Sequence, residues 1–567
     1  MASRHFDIYP TRPLIFLVMA AVVILTTTSC SLVLDLSSCD GDQDCEEGFI
    51  CSADQICLDS SAQCGTDSDC TALFGDGASC NDGLCQGDNP LTDGPCQQLY
   101  GAVDDDDALL IGVVMQLTGV GGGFGQPMLD AMRIAKRDIN AIGGINGRQI
   151  GLVACDTAYD DIDPEDYGET DDSLDTVARI AATHLVETAG VEVILGLNSS
   201  QVLDIGPEIT VPNDVLLVSP SATAATIPPL GHNGLIWRTA PSDEPQAVAL
   251  SRFIEETVDD FLPNERGIAS PKVTLLVREE DRWAEGLNDH IVLELPAEIT
   301  TGGEARFTSH SFPNVGAGDL AEYEPIAATV AAEPTPPDVV VVLGSADSWL
   351  LIPQIDNAVS TEPLFIGADA MKNTEEAAQA PADLEYRIWG TGPRSVAEFD
   401  YQPYTIFRLK FEQELNANAD TFQFVANAFD ALYTLAFASA AALSGEDDGG
   451  VCGDADPCAD GQNCVEGECV ADRSISGPNL ARGLTRLDQG DEIRPTSSDA
   501  SQAINTLLAG GTVNYAGASG PINFDSFGDP EPMPIALWCF EDGQVPERGE
   551  LYTPDGQFTP LTCVNDQ

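Results

Sequence analysis

At 567 residues the chain is too long for one hydrophobic core, and at about 100 to 200 residues per domain it implies several. With 43% hydrophobic residues in strand- and helix-sized clusters it is neither collagen-like nor disordered. Lys and Arg number 24 against 92 Asp and Glu, a formal charge of −68, which excludes a nucleic-acid partner because nothing could displace counterions from a phosphate backbone. Only four of the basic residues are Lys, and such a surface suits a salty medium where like charges are screened.

At the amino terminus, Arg4 and Arg12 precede an unbroken apolar run over 14–25, and Thr26-Thr27-Thr28-Ser29 leads into Cys30. The run is shorter than the about 20 residues that span a bilayer, so 1–29 is expected to be a signal peptide. A small residue directly before a cysteine resembles the lipoprotein signal, although Thr27 stands where that signal usually has an aliphatic residue. The resemblance implies acylation of Cys30 and a membrane-anchored, exported protein, periplasmic or at the cell surface. Secretion with a spare thiol is the alternative.

Of the 17 cysteines, twelve fall into three groups of four: Cys39, Cys45, Cys51, Cys57; Cys64, Cys70, Cys80, Cys85; and Cys452, Cys458, Cys464, Cys469. Small polar modules in an exported chain need covalent staples, so these are read as disulfides, with zinc the rival. The acidic loops at 40–44 and 454–456 could attract calcium, but they lack a Gly-punctuated ligand loop and read as solvated turns, so no metal site is assigned. The remaining Cys96, Cys155, Cys539 and Cys563 are expected to pair as Cys96 with Cys155 and Cys539 with Cys563. Residues 30–107, ending in four consecutive Asp, form the expected cysteine-rich stalk.

From 108 onward strands and helices alternate, which predicts α/β architecture with parallel sheets covered on both faces. A strand over 109–117 runs into the Gly-rich turn 119–125, and a helix is expected from Pro127, with Met128, Met132, Ala135 and Ile139 on its buried face. Gly143-Gly144 ends it, and Asn146-Gly147 turns into a strand over 149–154. Further strands are expected at 191–195, 215–218 and 235–239. A second set lies at 273–277, 339–343 and 364–366. Two such units in series imply two Rossmann-like, doubly wound lobes with a crevice between them, and ligands of such sheets bind beyond the carboxyl ends of the strands.

The glycines at 119–125 do not make a nucleotide site, because Phe124 replaces the third glycine of the dinucleotide fingerprint and no Gly-Lys-Ser/Thr follows. They offer close backbone approach, with Phe124 as an apolar wall.

Taken together, Ile111-Gly-Val-Val-Met-Gln-Leu-Thr-Gly119, Asp138-Ile-Asn140, Gly143-Gly-Ile-Asn-Gly147, Gly196-Leu-Asn-Ser-Ser200, Ser219-Pro-Ser-Ala-Thr223, Arg238-Thr-Ala-Pro-Ser-Asp243, Trp283-Ala-Glu-Gly286, Phe365-Ile-Gly-Ala-Asp369 and Gly520-Pro-Ile-Asn-Phe-Asp525 resemble the leucine/isoleucine/valine-type periplasmic binding proteins over about 108–545. The resemblance implies the periplasmic binding protein type 1 fold, in which three strands form the hinge. Lobe 1 is then 108–240 with 394–518, carrying a cysteine-rich insertion at 446–475, and lobe 2 is 241–393 with 519–567. The crossings near 240, 393 and 519 are the hinge candidates. It further implies capture of an amino acid or related small molecule for an ABC permease or for sensing. By position, Ser200, Ser221 and Thr223 match residues that hold an α-carboxylate, at strand ends where helix N–H groups favour an anion. Asp369 matches the acid that meets the ammonium group, and Phe124 and Trp283 match aromatic covers from opposite lobes. Ser345 stands where amino-acid binders carry a tyrosine, which leaves room for a larger or more polar ligand.

No catalytic set assembles. His5, His184, His232, His290 and His310 have no metal spacing, and Gly-x-Ser-x-Gly does not occur. The chain therefore reads as a non-enzyme without a cofactor. A second reading is a surface interaction lipoprotein whose cysteine modules bind a partner, with the two-lobed fold as scaffold.

Overall fold

The computed structural model describes residues 49–51, 57–59, 79–81, 84–86 and, apart from 104, 106, 120, 172, 229–231, 302–305, 315–319, 395–400, 445–461 and 466–467, residues 91–563. The chain divides into two compact units, Met1–Asn89 and Pro90–Gln567. In the first, Phe49–Cys51 pairs antiparallel with Cys57–Asp59, and Ser79–Asn81 with Leu84–Gln86, setting Cys51 opposite Cys57 and Cys80 opposite Cys85. The expected signal peptide, Cys30, Cys39, Cys45, Cys64, Cys70, Cys452 and Cys458 lie outside the described residues.

The second unit holds two large sheets. One runs in the order Ile236–Arg238, Leu216–Ser219, Val193–Gly196, Leu109–Met115, Ile150–Asp156, Gln98–Gly101, parallel except for its last strand. The other runs Phe307–Phe312, Val273–Arg278, Val339–Leu343, Leu364–Gly367, Ile388–Pro393, Ile535–Cys539, Glu547–Tyr552, with the last two antiparallel. Val339–Leu343 is fully buried Val-Val-Val-Val-Leu, as expected of a central strand covered on both faces. The chain leaves the first sheet after Arg238, returns from Pro393 to the first-lobe helix Gln402–Leu415, and crosses again between Pro521 and Ile535. This is the two-lobed α/β architecture expected from the alternating pattern.

Val425–Ala442 is long and apolar enough to cross a membrane, yet it is buried in the first lobe against Gly122–Ala141. Within it Asp430 accepts from Tyr515 Oη (2.8 Å), Ala518 N (2.8 Å), Ser519 N (2.7 Å) and Ser519 Oγ (2.6 Å). Those residues flank the short hairpin Val513–Gly517 with Gly520–Pro521, so one buried carboxylate anchors the third crossing.

Two expectations need correction. Gln98–Gly101, assigned to the stalk, is the edge strand of the first sheet, drawn in by the Cys96–Cys155 disulfide to Ile150–Asp156. The helix expected from Pro127 starts at Gly122, because the glycines continue it toward its amino end and Pro127 sits early enough to be tolerated. Cys539–Cys563 also pair as expected. In the inserted module Gln462–Val465 pairs with Glu468–Ala471, and Cys469 is disulfide-bonded.

Candidate functional site

Strands of both sheets end around a cavity of about 470 Å³. Phe124, Ser200, Ser221 and Thr223 line it from the first lobe, and Trp283, Ser345 and Asp369 from the second, so all seven candidates share one cavity. Its size falls within the range of about 300 to 1,000 Å³ usual for small-molecule sites.

The first-lobe wall is held by side chains that fix loop backbones. Asp156, at the end of its strand, accepts from Leu117 N (2.8 Å), Ala158 N (2.9 Å) and Thr118 Oγ1 (2.5 Å). A Cβ on Gly125 would lie 2.0 Å from the Gln116 carbonyl oxygen, so only glycine lets the helix start close against this loop. Phe124 meets Phe424 edge to face at 5.9 Å, and both line the cavity. Leu197, Glu280 and Phe424, also in the wall, hold φ between 56° and 63°, a left-handed backbone that non-glycine residues adopt at a cost of order 1–3 kcal/mol each.

Helix Ser199–Ile205 begins in a capping box, with Gln201 N donating to Asn198 Oδ1 (3.0 Å) and Asn198 N to Gln201 Oε1 (3.2 Å). Ser199 Oγ accepts from Thr223 N (3.0 Å) and Ala224 N (3.1 Å). The expectation of free helix N–H groups fits Ser200, in the first turn of helix Ser199–Ile205, but not Ser221 and Thr223: the loop after Leu216–Ser219 is a turn, and its amides are already paired. Behind the turn, Arg238, fully buried, donates to Ala224 O (2.9 Å) and Ala222 O (3.3 Å) and forms a two-bond pair with Asp529 (2.7 and 2.5 Å), locking the Thr223 loop in place.

In the second lobe Arg278, at the end of its strand, donates Nε and Nη2 to Asp281 Oδ2 (2.9 and 2.7 Å) and Nη1 to Asp347 Oδ1 (3.0 Å) and Ser345 Oγ. Burial opposes the Arg278 charge, but Asp347 and Asp281 outweigh it and raise its pKa. Tyr323 donates to Asp347 Oδ2 (3.0 Å), and its own pKa rises through burial and that neighbouring charge. Asp281 also caps helix Arg282–Glu294 through Trp283 N (3.0 Å) and Ala284 N (3.2 Å). Ser345 thus belongs to a guanidinium–carboxylate network rather than standing as an isolated small residue.

Three contacts join the lobes around the cavity. Trp283 Nε1 donates to Thr223 Oγ1 (3.1 Å), Ser200 Oγ donates to Asp281 Oδ1 (3.2 Å), and Arg282 pairs with Asp204 at 2.8 Å. The lobes are closed on one another.

Asp369 is buried and accepts from Gln246 Nε2 at 2.7 Å. Burial raises its pKa to about 6, with the Gln246 bond and backbone amides opposing. Asp243, one helical turn before Gln246, is 3% exposed, and neither carboxylate oxygen makes a well-formed hydrogen bond; the hydroxyl of Thr223 and the indole of Trp283 are the polar groups beside it. Burial and then the Asp369 charge push its pKa well up. In the sequence Asp243 follows Ala-Pro-Ser and precedes the buried Ala247 and Leu250, which is the signal that an acid enters the core here. Arg278, Asp281 and Asp347 were missed because their partnership exists only once three strand ends meet. Among the described residues no three His, Cys, Asp or Glu gather as a metal site.

Residues 109–260 match the periplasmic binding protein family. A Leu/Ile/Val-binding protein homolog from Brucella melitensis is 26% identical over 271 residues, 47% of this chain and 62% of the relative, so the chain spans less than two thirds of that relative's length. Among solved structures, a leucine binding protein from Thermotoga maritima aligns over 79% of this chain and 99% of its own at 18% identity and a TM-score of 0.55. The branched-chain amino acid transporter substrate binding protein from Streptococcus pneumoniae, in complex with isoleucine, aligns over 77% and 97% at 18% identity and a TM-score of 0.53. Residues 109–260 are thus similar to the periplasmic binding protein family, and the chain has the two-lobed α/β fold of these solved binding proteins.

Proposed function

We propose that the protein is an extracytoplasmic solute-binding protein that closes its two lobes around an amino acid or a related small polar molecule and passes it to an ABC-type importer. The observation that carries this reading is the cavity itself, lined by Ser200, Ser221 and Thr223 from one lobe and by the buried carboxylate of Asp369 from the other. A zwitterion needs donors at one end and an acid at the other, and a dry, closed cleft strengthens both interactions. Phe124 and Trp283 cover the ligand from opposite sides. Because a ligand touching both lobes favours their closed arrangement, binding is coupled to hinge closure.

The relatives' names, which specify leucine, isoleucine and valine, support the amino-acid class. We further propose a lipid anchor at Cys30, which incorporation of labelled palmitate by the wild type and its loss in Cys30→Ala would test. The function is tested by a thermal-shift screen of ligand-stripped protein against amino acids, amides and small organic acids. A ligand at about 100 times its Kd should add about 2.7 kcal/mol of stability. No shift with any amino acid would contradict the reading.

A further inference from the structure

Resting on that reading, the charge of the cavity wall narrows the ligand class. Five carboxylates line the cavity, Asp175, Glu280, Asp281, Asp347 and Asp369, against Arg278 as its one basic lining residue. Arg278 is fully engaged by Asp281, Asp347 and Ser345, so it has no free donor pair for a ligand acid. Asp369 meets the α-ammonium under the proposed function. That leaves Asp175.

Asp175 stands in the first turn of helix Leu174–Glu187, whose cap is Ser173 rather than Asp175, so its carboxylate is not consumed in starting the helix. It is half-buried, and among the described residues no basic side chain pairs with it. The base whose charge reaches it, Arg278, is held by Asp281, Asp347 and Ser345. Burial raises its pKa and Asp281 and Asp204 add to it, while a bond from Gln201 and the more distant Arg278 charge offset part of the rise. An acid facing a cavity among other acids is an unfavourable wall for an aliphatic side chain and a favourable one for a cation. Its neighbours also differ from those of Asp369, which are Gln246, Lys372 and Asp243, so the two acids serve separate parts of the cavity. Met115, Met128 and Leu197 add apolar surface to the wall, suited to a methylene stem.

We propose that the cavity takes a ligand with two cationic groups, an α-ammonium at Asp369 and a side-chain ammonium at Asp175, as in a basic amino acid. Lysine and norleucine differ only in the terminal ammonium group, so titration calorimetry of the full chain with each isolates this contact. Lysine should bind roughly tenfold or more tighter than norleucine, and the preference should shrink as salt is added. Asp175→Asn should remove the preference by weakening lysine relative to norleucine. Norleucine binding as tightly as lysine, or Asp175→Asn weakening both alike, would overturn the proposal while leaving the solute-binding reading intact. Failure of every amino acid, neutral and basic, to bind would overturn both.

Discussion

Asp243 and Asp369 are two buried acids in unequal circumstances: Gln246 donates to Asp369 at 2.7 Å, while neither oxygen of Asp243 makes a well-formed hydrogen bond. Thr223 and Trp283, which bond to one another across the cleft, lie beside Asp243. A pair of carboxylates held this way cannot both ionise cheaply, and a bound cation is what relieves them.

The first consequence concerns the empty protein. Asp243 has a folded-state pKa above its unfolded value, so the folded form binds the proton more tightly, and stability falls as pH rises from about 4 toward that folded value. Asp243→Asn removes its share of the slope, leaving those of Asp369 and Asp430. It should stabilise ligand-free protein by about 1 to 3 kcal/mol at pH 8 and by less at pH 5, read from urea unfolding at the two pH values. Equal stability at pH 8 would count against an unpaired buried acid.

Binding should follow Asp369. Its pKa of about 6 in the empty site is lowered when an ammonium group binds, so binding expels a proton below that pH. Affinity for an amino acid should fall up to about tenfold per pH unit below pH 6 and level off above it. Gln246, Lys372 and Asp243 face the same carboxylate, and Asp369→Asn should weaken binding and flatten the profile. Calorimetry at pH 5 and pH 7.5 measures this directly.

Closure is held partly by Trp283, whose indole N–H reaches Thr223. Trp283→Phe keeps a ring and loses the donor, at a cost of about 1 kcal/mol to the closed state, or roughly fivefold in population. Small-angle scattering should give a larger radius of gyration for the unliganded variant, with saturating ligand restoring the wild-type value. An unchanged radius would mean that Ser200–Asp281 and Arg282–Asp204 suffice.

The third crossing depends on Asp430. Burial raises its pKa to about 6 against the opposing bonds from Ser519 and Ala518. Asp430→Ala strands four donors and should cost about 3 kcal/mol or more in unfolding free energy. Gly517→Ala should act similarly, because its Cβ would fall 2.5 Å from Asp430 Oδ2.

How legible these features were in sequence follows from how local they are. The parallel core strands showed as apolar runs, so Leu109–Met115, Val273–Arg278 and Val339–Leu343 emerge close to their expected bounds. Edge strands did not: Phe307–Phe312 reads Phe-Thr-Ser-His-Ser-Phe, half-exposed, and Gln98–Gly101 has no fully buried residue. The seven candidates share one cavity because they stand just past strand ends, Ser221, Thr223 and Ser345 in loops and Phe124, Ser200, Trp283 and Asp369 in the first turn of a helix. The roles of Asp243 and Arg278 were not legible, since an acid's lack of a well-formed hydrogen bond and a guanidinium's commitment are properties of tertiary neighbours.

The central claim is that one amino acid sits between the lobes with its ammonium on Asp369. A crystal structure of the protein grown with its tightest-binding amino acid tests that most directly. The ligand nitrogen should lie within hydrogen-bond distance of Asp369 and the α-carboxylate against the Ser221 and Thr223 hydroxyls. A ligand bound elsewhere, or one whose ammonium avoids Asp369, would contradict the account.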